Sequence, residues 1–276
     1  MEVITYNIQC PFLGISNYEE RLDLIINKLA LYNASIIVFQ EVFIMSLFTM
    51  KIFSKDNYIK TRLKNIGYSY FAQSTSTTNM QNAGLFIAGH YPIEVIDEIA
   101  YPQSEADERF TTKGAIIFRI DHPIYKKLTI INTHLHCMNY IEEYSKIRME
   151  QLNQIKDTLI KYNIFENILL CGDLNIDSIN QTTYKYYEKL MELFPDAKDS
   201  FAHPFPITNP PDARIDYIVY YGNEFEFYNT QIVDANRYKS RSDLYNDDVI
   251  YKLNRDSLEA SDHFGIKTQL FHNKNK

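Results

Sequence analysis

The sequence predicts an α/β domain with two mostly antiparallel sheets and helices on the outside. Three patterns predict it. A strand, an amphipathic helix and a second strand follow one another within the first 41 residues. Strand-like runs then succeed each other without long helices, which favours antiparallel pairing. A long helical repeat finally leads straight into the apolar run "NILLCG".

"VITYNI" (Val3 to Ile8) is the first strand. In the stretch that follows, Ser16 and Asn17 each stand three residues before a glutamate, Glu19 and Glu20, so either can form a capping box. Leu22, Ile25, Ile26 and Leu29 recur at helical spacing, and "SIIVFQE" (Ser35 to Glu41) is a buried strand. "SLFTMKIFSKDNYIKTRLKNIG" is predicted as one helix ending near Gly67, on the spacing of Ile44, Leu47, Phe48 and Ile52. Strands are expected at "YSYFAQS", "AGLFIAG", "IEVIDEI", "GAIIFRI" and "LTIINTHL". "YIEEYSKIRMEQLNQIKDTLIKY" is a long amphipathic helix with Tyr144, Ile147, Ile155 and Leu159 on its apolar positions. After "NILLCG" come the helix "TTYKYYEKLMELF" and the last clear strands, "RIDYIVYY" and "HFGIKTQLF". Residues 234–261 read as a polar excursion between late strands. Without repeat, linker or low-complexity block, residues 1–276 are expected to form a single domain.

Apolar residues make up 45% of the chain and charged ones 23%, the ordinary balance of a water-soluble globular protein. A net charge of −7 opposes the broad positive field of a non-specific duplex binder, so nucleic acid is disfavoured as a partner. Cys10, Cys137 and Cys171 form neither a disulfide framework nor a zinc motif, and point to reduced thiols in the cytoplasm. No segment has the length and apolarity of a membrane span, and "MEVITYNI" reads as a strand rather than a signal peptide.

Polar residues cluster at strand ends, where layered folds gather their sites. Asn7 lies near the end of the first strand, Glu41 closes "IIVFQE" and His134 sits in "INTHLH". Asp173 and Asn175 close "ILLCGDLN", Asp216 opens "RIDYIVY", and Asp262 and His263 precede the last strand. Each alone has a plain explanation as a turn former; their ordered coincidence points to chemistry. A hard divalent cation takes oxygen ligands, which Glu41 and the Asn7 carbonyl can supply. Phosphodiester hydrolysis needs an activated water, stabilised phosphoryl oxygens and help for the leaving oxygen. His263 suits the proton acceptor, with Asp216 holding its tautomer. Asn175 can donate to a phosphoryl oxygen, Asp173 can orient water or touch the metal, and His134 can donate to phosphate or leaving group.

"TYNI", "FQEV", "NTHLH", "CGDLN", "RIDYIVY" and "SDHFG", in that order, resemble the endonuclease/exonuclease/phosphatase superfamily, the DNase I-like fold. The resemblance implies a four-layer α/β/β/α sandwich and metal-dependent phosphoester hydrolysis, with magnesium as cofactor and manganese as a substitute. It implies Asn7 and Glu41 as metal ligands, Asp262 near metal or water, Asp173 and Asn175 as catalytic, and an Asp216–His263 pair.

Within that superfamily the blocks are closest to neutral sphingomyelinases. Lys113-Gly114 resembles their Lys-Gly segment, which places Lys113 near the site. "INTHLHCMNY" with "KIRMEQL" is similar to their histidine-bearing region and makes His136 a substrate-contact candidate. The resemblance implies a sphingomyelin phosphodiesterase, with a nuclease or DNA-repair phosphodiesterase and an inositol-phosphate phosphatase as alternatives on the same fold. Arg237, Lys239 and Arg241 are the only obvious basic cluster for nucleic acid, diluted by Asp243, Asp247 and Asp248. His90 stands where relatives carry a basic residue. The chain closes on "FHNKNK" without the membrane-spanning tail of some animal relatives, so contact with phospholipid is expected to be peripheral. "VFIMSLFTMKIF" and "FAHPFPITNPP" are the candidate surfaces, each with a simpler reading as ordinary packing.

Overall fold

The computed structural model describes residues 1–10, 18–47, 50–54, 56–75, 82–102, 112–137, 141–236 and 260–273, and no side chains between 44 and 54. The chain runs β1 (Glu2–Cys10), α1 (Tyr18–Ala30), β2 (Ile36–Val42), β3 (Ile44–Leu47), β4 (Met50–Ser54), α2 (Asp56–Asn65), β5 (Tyr70–Gln73), β6 (Phe86–Gly89) and β7 (Ile93–Ala100). It continues β8 (Gly114–Ile120), β9 (Thr129–His134), α3 (Glu142–Lys161), β10 (Ile168–Asp173), α4 (Tyr184–Met191), β11 (Ala197–Asp199), β12 (Asp216–Tyr221), β13 (Phe225–Val233) and β14 (Gly265–His272).

Two six-stranded sheets form, in the orders β13-β14-β1-β2-β6-β5 and β11-β12-β10-β9-β8-β7. Among the described residues, only β1–β2 and β9–β10 pair in parallel; the other pairs in these sheets are antiparallel. The parallel pairs follow from the crossovers through α1 and α3, which are long enough to return the chain to the same end of a sheet. Leu22, Ile25, Ile26 and Leu29 of α1 and Ile59 and Leu63 of α2 pack on Ile4, Tyr6, Ile37 and Phe39 of the first sheet. Leu152, Ile155 and Leu159 of α3 and Leu190 of α4 pack on Ile131, Ile168, Leu170 and Val219 of the second. Between the sheets lies a third apolar layer, including Val3, Ile36, Val38, Ile130, Leu169, Cys171, Ile218 and Tyr220. The result is the expected α/β/β/α sandwich.

Local expectations fail in three places, and a fourth set falls where the structure does not test them. The helix predicted from residue 46 to 67 is an antiparallel hairpin, β3–β4, followed by a helix that begins only at Asp56. Short apolar runs satisfy both periods, and the Ile- and Phe-bearing sequence prefers a strand. The edge strands β11 and β13 escaped notice because neither is a buried apolar run; β13 is fully covered only at Phe225 and Val233. Tyr144 and Ile147 are half-buried, while Ser145, Arg148 and Gln151 are the buried residues in the first half of α3. Finally, Ser16 and Asn17 and most of the 234–261 excursion, with Arg237, Lys239 and Arg241, lie outside the described residues.

Gly172 is where the opening turn of "GDLN" depends on the missing side chain. Its φ is +143°, and a Cβ there would stand 1.9 Å from the carbonyl oxygen of Thr133 on the neighbouring strand. Backbone on a paired strand cannot move aside, so Gly172→Ala is expected to cost more than about 3 kcal/mol. Urea unfolding measures this; a loss under about 1 kcal/mol would contradict the close approach.

Candidate active site

The register of the second sheet sets up the site. Gly114, His134, Asp173 and Asp216 are direct neighbours across four strands and form one row. The row beneath it is Ile116, Asn132, Cys171 and Ile218. Because side chains alternate along a strand, the residues two apart share the inner face. That face changes from Leu169 and Cys171 to Asp173 in β10, and from Tyr220 and Ile218 to Asp216 in β12. The first sheet changes likewise, from Val3 through Thr5 to Asn7.

Glu41 reaches this end by breaking the alternation. It directly follows Gln40, and its φ is +65°. The β1–β2 register shifts between Asn7 and Cys10, where three steps along β1 oppose two along β2, so the pairing bulges here. A bulge re-aims the side chain. The Glu41 carboxylate accepts from Asn7 Nδ2 at 3.0 Å, and the same nitrogen donates to Asp173 Oδ2 at 3.0 Å. Asn7 Oδ1 accepts the Gln9 N–H at 3.1 Å. Two carboxylates on the NH2 and an N–H on the carbonyl define the orientation of the amide. In this arrangement Asn7 presents its donor, not its carbonyl, to the acids.

Asp173 is the centre of the cluster and only 2% exposed. Its Oδ1 accepts the Asn175 N–H at 3.0 Å, and its Oδ2 lies 3.3 Å from His134 Nε2 and 3.7 Å from His263 Nε2. His263 Nδ1 meets Asp216 Oδ2 at 2.9 Å, so the ring bridges two aspartates. Asp173, Asp216 and His263 offer ligand atoms within 4.8 Å of one another. Lys113 Nζ lies 2.7 Å from His134 Nε2, a contact in which the ammonium donates and the ring accepts. Asn175, at φ +51°, donates its Nδ2 to the Leu135 carbonyl at 3.2 Å.

Burial and charge shift these groups in opposite directions. Burial pushes Asp173 up to about 7, opposed by the nearby His263 and reinforced by Asp216. Burial raises Glu41 too, opposed by Lys113 and reinforced by Asp262. For His263 burial favours the neutral ring, but Asp216 and Asp173 outweigh it and hold the value well above 6.5. Burial, then Lys113 and His263, drive His134 well below 6.5. The two histidines therefore carry different charge at neutral pH, which is how one site holds an acid and a base.

The donor set fits a hard divalent cation. Asp262 raises the cost of ionising Glu41, Asp262 Oδ1 and Asp216 Oδ1 are buried without a hydrogen-bond partner, and all are carboxylate oxygens. Asp262 Oδ2 accepts from Gln9 Nε2 at 2.8 Å.

Nine of the sequence candidates converge here: Asn7, Glu41, Lys113, His134, Asp173, Asn175, Asp216, Asp262 and His263. His136 is turned aside: its ring packs on Tyr144 at 4.5 Å, and its Nδ1 faces the Cys137 carbonyl at 3.0 Å. Its main chain is strapped by α3, with Gln151 accepting its N–H at 2.9 Å and Arg148 donating to its carbonyl at 3.1 Å. His90 lies beyond Gly89, whose partner Ile36 starts β2, at the opposite end from Glu41. It stacks on Tyr68 and bonds Gly67 and Asn33, a structural role. Phe205 is half-buried and packs on Tyr187 and Arg214. A cavity of about 680 Å³ between Pro92, Arg119, Lys127 and Asn167 is also remote from the cluster.

Three supports escaped sequence reading. Ser261 Oγ donates to the Asn7 carbonyl at 2.7 Å and accepts the His263 N–H at 3.1 Å. Thr208 Oγ1 accepts the N–H groups of Ile215 and Asp216. Arg214, fully buried between Phe205 and Tyr217, pairs with Asp199 at 2.6 Å. Ser261 and Arg214 stand inside or beside the motifs "SDHFG" and "RIDYIVY", so position was the available signal; Thr208 had none.

A family model described as the Endonuclease/Exonuclease/phosphatase family matches residues 4–263. Sphingomyelin phosphodiesterase 5 of Danio rerio is 28% identical over 120 residues, 39% of this chain and 22% of that protein's length. Two structures of beta toxin from Staphylococcus aureus superpose with TM-scores of 0.70 and 0.67 at 17% and 18% identity. Both cover 97% of this chain and 99% and 98% of theirs, and the second contains bound magnesium ions. D. rerio TDP2, solved with a single strand DNA product, superposes with a TM-score of 0.62 at 15% identity, covering 98% of each chain. At these identities the superpositions establish a shared fold.

The raised value of His263 has a consequence for stability. The folded state binds its proton more tightly than the unfolded chain, whose value is near 6.5. This contribution is complete below the unfolded value and is lost as pH rises through the folded one. In divalent-free buffer the Tm is expected to fall as pH rises above about 7. Asp216→Asn removes the main charge that opposes burial, so its curve should be flatter. Parallel curves would refute the coupling.

Proposed function

This chain belongs to the endonuclease/exonuclease/phosphatase family, and from that premise we propose that it is a magnesium-dependent phosphodiesterase that cleaves sphingomyelin to ceramide and phosphocholine. The observation that carries the reaction class is the buried chain Asp216–His263–Asp173, faced by the Lys113–His134 contact. The substrate rests on the local similarity to sphingomyelin phosphodiesterase 5 and on the Lys113-Gly114 segment. Glu41 would hold the cation, with Asn7 and Asp262 beside it. When bound, the cation supplies Lewis-acid stabilisation of charge on the phosphoryl oxygens.

The protein groups divide the remaining work. His263, oriented through Nδ1 by Asp216, presents Nε2 toward Asp173, where an attacking water can be held between the two. Proton transfer needs a neutral ring, so the acids that raise His263 must be partly offset, as a divalent cation beside Glu41 and Asp262 would do. The Lys113 ammonium, held by neutral His134, supplies a donor for phosphoryl or leaving-group oxygen, and buried charge of this kind stabilises a transition state strongly. Asn175 is held by its own N–H on Asp173, close enough in sequence to add an amide to the same centre.

No helix among the described residues is long and apolar enough to cross a membrane. Peripheral contact is supported by the apolar β3–β4 segment, which starts three residues after Glu41, and a cytoplasmic location by three cysteines that form no disulfide with one another. The likeness to TDP2 favours a second reading, a nuclease on the same scaffold; the net charge of −7 opposes it. Phosphocholine release from sphingomyelin vesicles with magnesium, measured beside inositol phosphate and abasic DNA, separates the readings. Wild type is expected to act on sphingomyelin, and His263→Ala to lose about 10²- to 10⁴-fold in kcat/KM. DNA cleavage without phosphocholine release would overturn the lipid assignment.

A further inference from the structure

One layer below the site, a polar pair interrupts the apolar packing between the sheets. Gln40 of β2 and Asn132 of β9 are both 0% exposed. Gln40 Nε2 donates to Asn132 Oδ1 at 2.7 Å and to Thr5 Oγ1 at 3.1 Å. Asn132 Nδ2 donates back across the sandwich to the carbonyls of Phe39 at 3.0 Å and Phe86 at 3.4 Å. The orientations are mutually enforced: the two carbonyls require the Asn132 NH2, its Oδ1 then faces Gln40, and Gln40 must present its own NH2. Gln40 Oε1 is left buried without a partner. A packed layer has no need of such a pair, because apolar residues there avoid the desolvation cost of two amides.

Its position supplies a reason. Phe39 and Phe86 are the last paired residues of β2 and β6. Immediately beyond them the strands part, and Val42 N–H bonds the Gly84 carbonyl at 2.8 Å across the bulge. Asn132 thus ties off the two carbonyls where the ladder ends, and Gln40 is the residue before Glu41 with its left-handed φ of +65°. A non-glycine residue held there is strained unless its surroundings over-determine it. On the second sheet, Asn132 is two residues before His134 and shares its face. The bridge therefore joins the strand that carries Glu41 to the strand that carries His134.

We propose that Gln40 and Asn132 are positioning residues, whose cross-sheet bridge holds the bulge that aims Glu41 at Asn7 and so sets the site's affinity for a divalent cation. The proposal rests on the reading of Glu41 as a cation ligand. It differs from a plain role in stability because an apolar pair can preserve stability while abolishing the bridge.

The test is Gln40→Met combined with Asn132→Leu, which removes both amides and keeps the volume. The double variant is expected to fold with a Tm within about 5 °C of wild type, yet to bind Mn2+ about tenfold or more weakly in calorimetric titration. Wild-type Mn2+ affinity in the folded double variant overturns the proposal. If the double variant does not fold, Gln40→Met alone is titrated in its place: weakened Mn2+ binding upholds the bridge, and wild-type affinity overturns it. If wild type binds no Mn2+, the cation reading fails, and a crystal structure of the variant decides the bridge. Glu41 leaving the left-handed region and its contact with Asn7 upholds the positioning role, and an unchanged Glu41 overturns it.

Discussion

Asn7 gives its amide nitrogen to two carboxylates, one from each sheet. It sits on β1 and donates to Glu41 beside it and to Asp173 across the sandwich. This bridge requires both sheets to present polar residues at the same end and at the same height. Every register in the two sheets bears on it. A slip of one residue in β10 would turn Asp173 outward and bring Leu174 to the site. The close approach of Gly172 to Thr133 reinforces the pairing, since no other residue type fits between those strands.

The cost of the arrangement is electrostatic. Four acids, Glu41, Asp173, Asp216 and Asp262, meet here, the two strand aspartates Asp173 and Asp216 buried and the other two half-buried. Direct hydrogen bonds from Asn7, Gln9 and Asn175 and the charges of His263 and Lys113 offset part of that cost. Burial, reinforced by the neighbouring acids, still raises Asp173 and Glu41. A site with desolvated acids and unpartnered carboxylate oxygens is suited to a cation, and a cation so placed is suited to a phosphodiester. Structure and proposed chemistry are linked through that imbalance.

Much of this was legible in the sequence because strand ends advertise themselves. A greasy run that stops in Gly-Asp-x-Asn, or in Thr-His, leaves its polar residues one place to go. Burial patterns at β1, β2, β8, β9, β10 and β12 follow from apolar runs alone. The hairpin β3–β4 did not, because its apolar spacing suits a helix as well as a strand. Edge strands β11 and β13 did not, because a half-exposed strand carries no apolar stripe. The straps from Arg148 and Gln151 were hidden for a related reason: a polar residue on a helix reads as solvent-facing until a loop is found to cover it. His136 illustrates the limit at the site itself, since adjacency to His134 in sequence did not bring its ring to the same face.

The sequence by itself determined the layers of the fold and which residue types would meet at one end of it, because alternation along a strand dictates which side chains share a face. Only the tertiary structure decided how they meet. Glu41 stands one residue off the alternation, and a bulge with positive φ brings it inward. The amide of Asn7 turns its donor to the acids because two carboxylates claim the NH2 while the Gln9 N–H takes the carbonyl. His263 and His134 acquire opposite charge preferences because burial, reinforced by Lys113, keeps His134 neutral, whereas Asp216 and Asp173 outweigh burial at His263. These are properties of distances between strands, which no local pattern encodes.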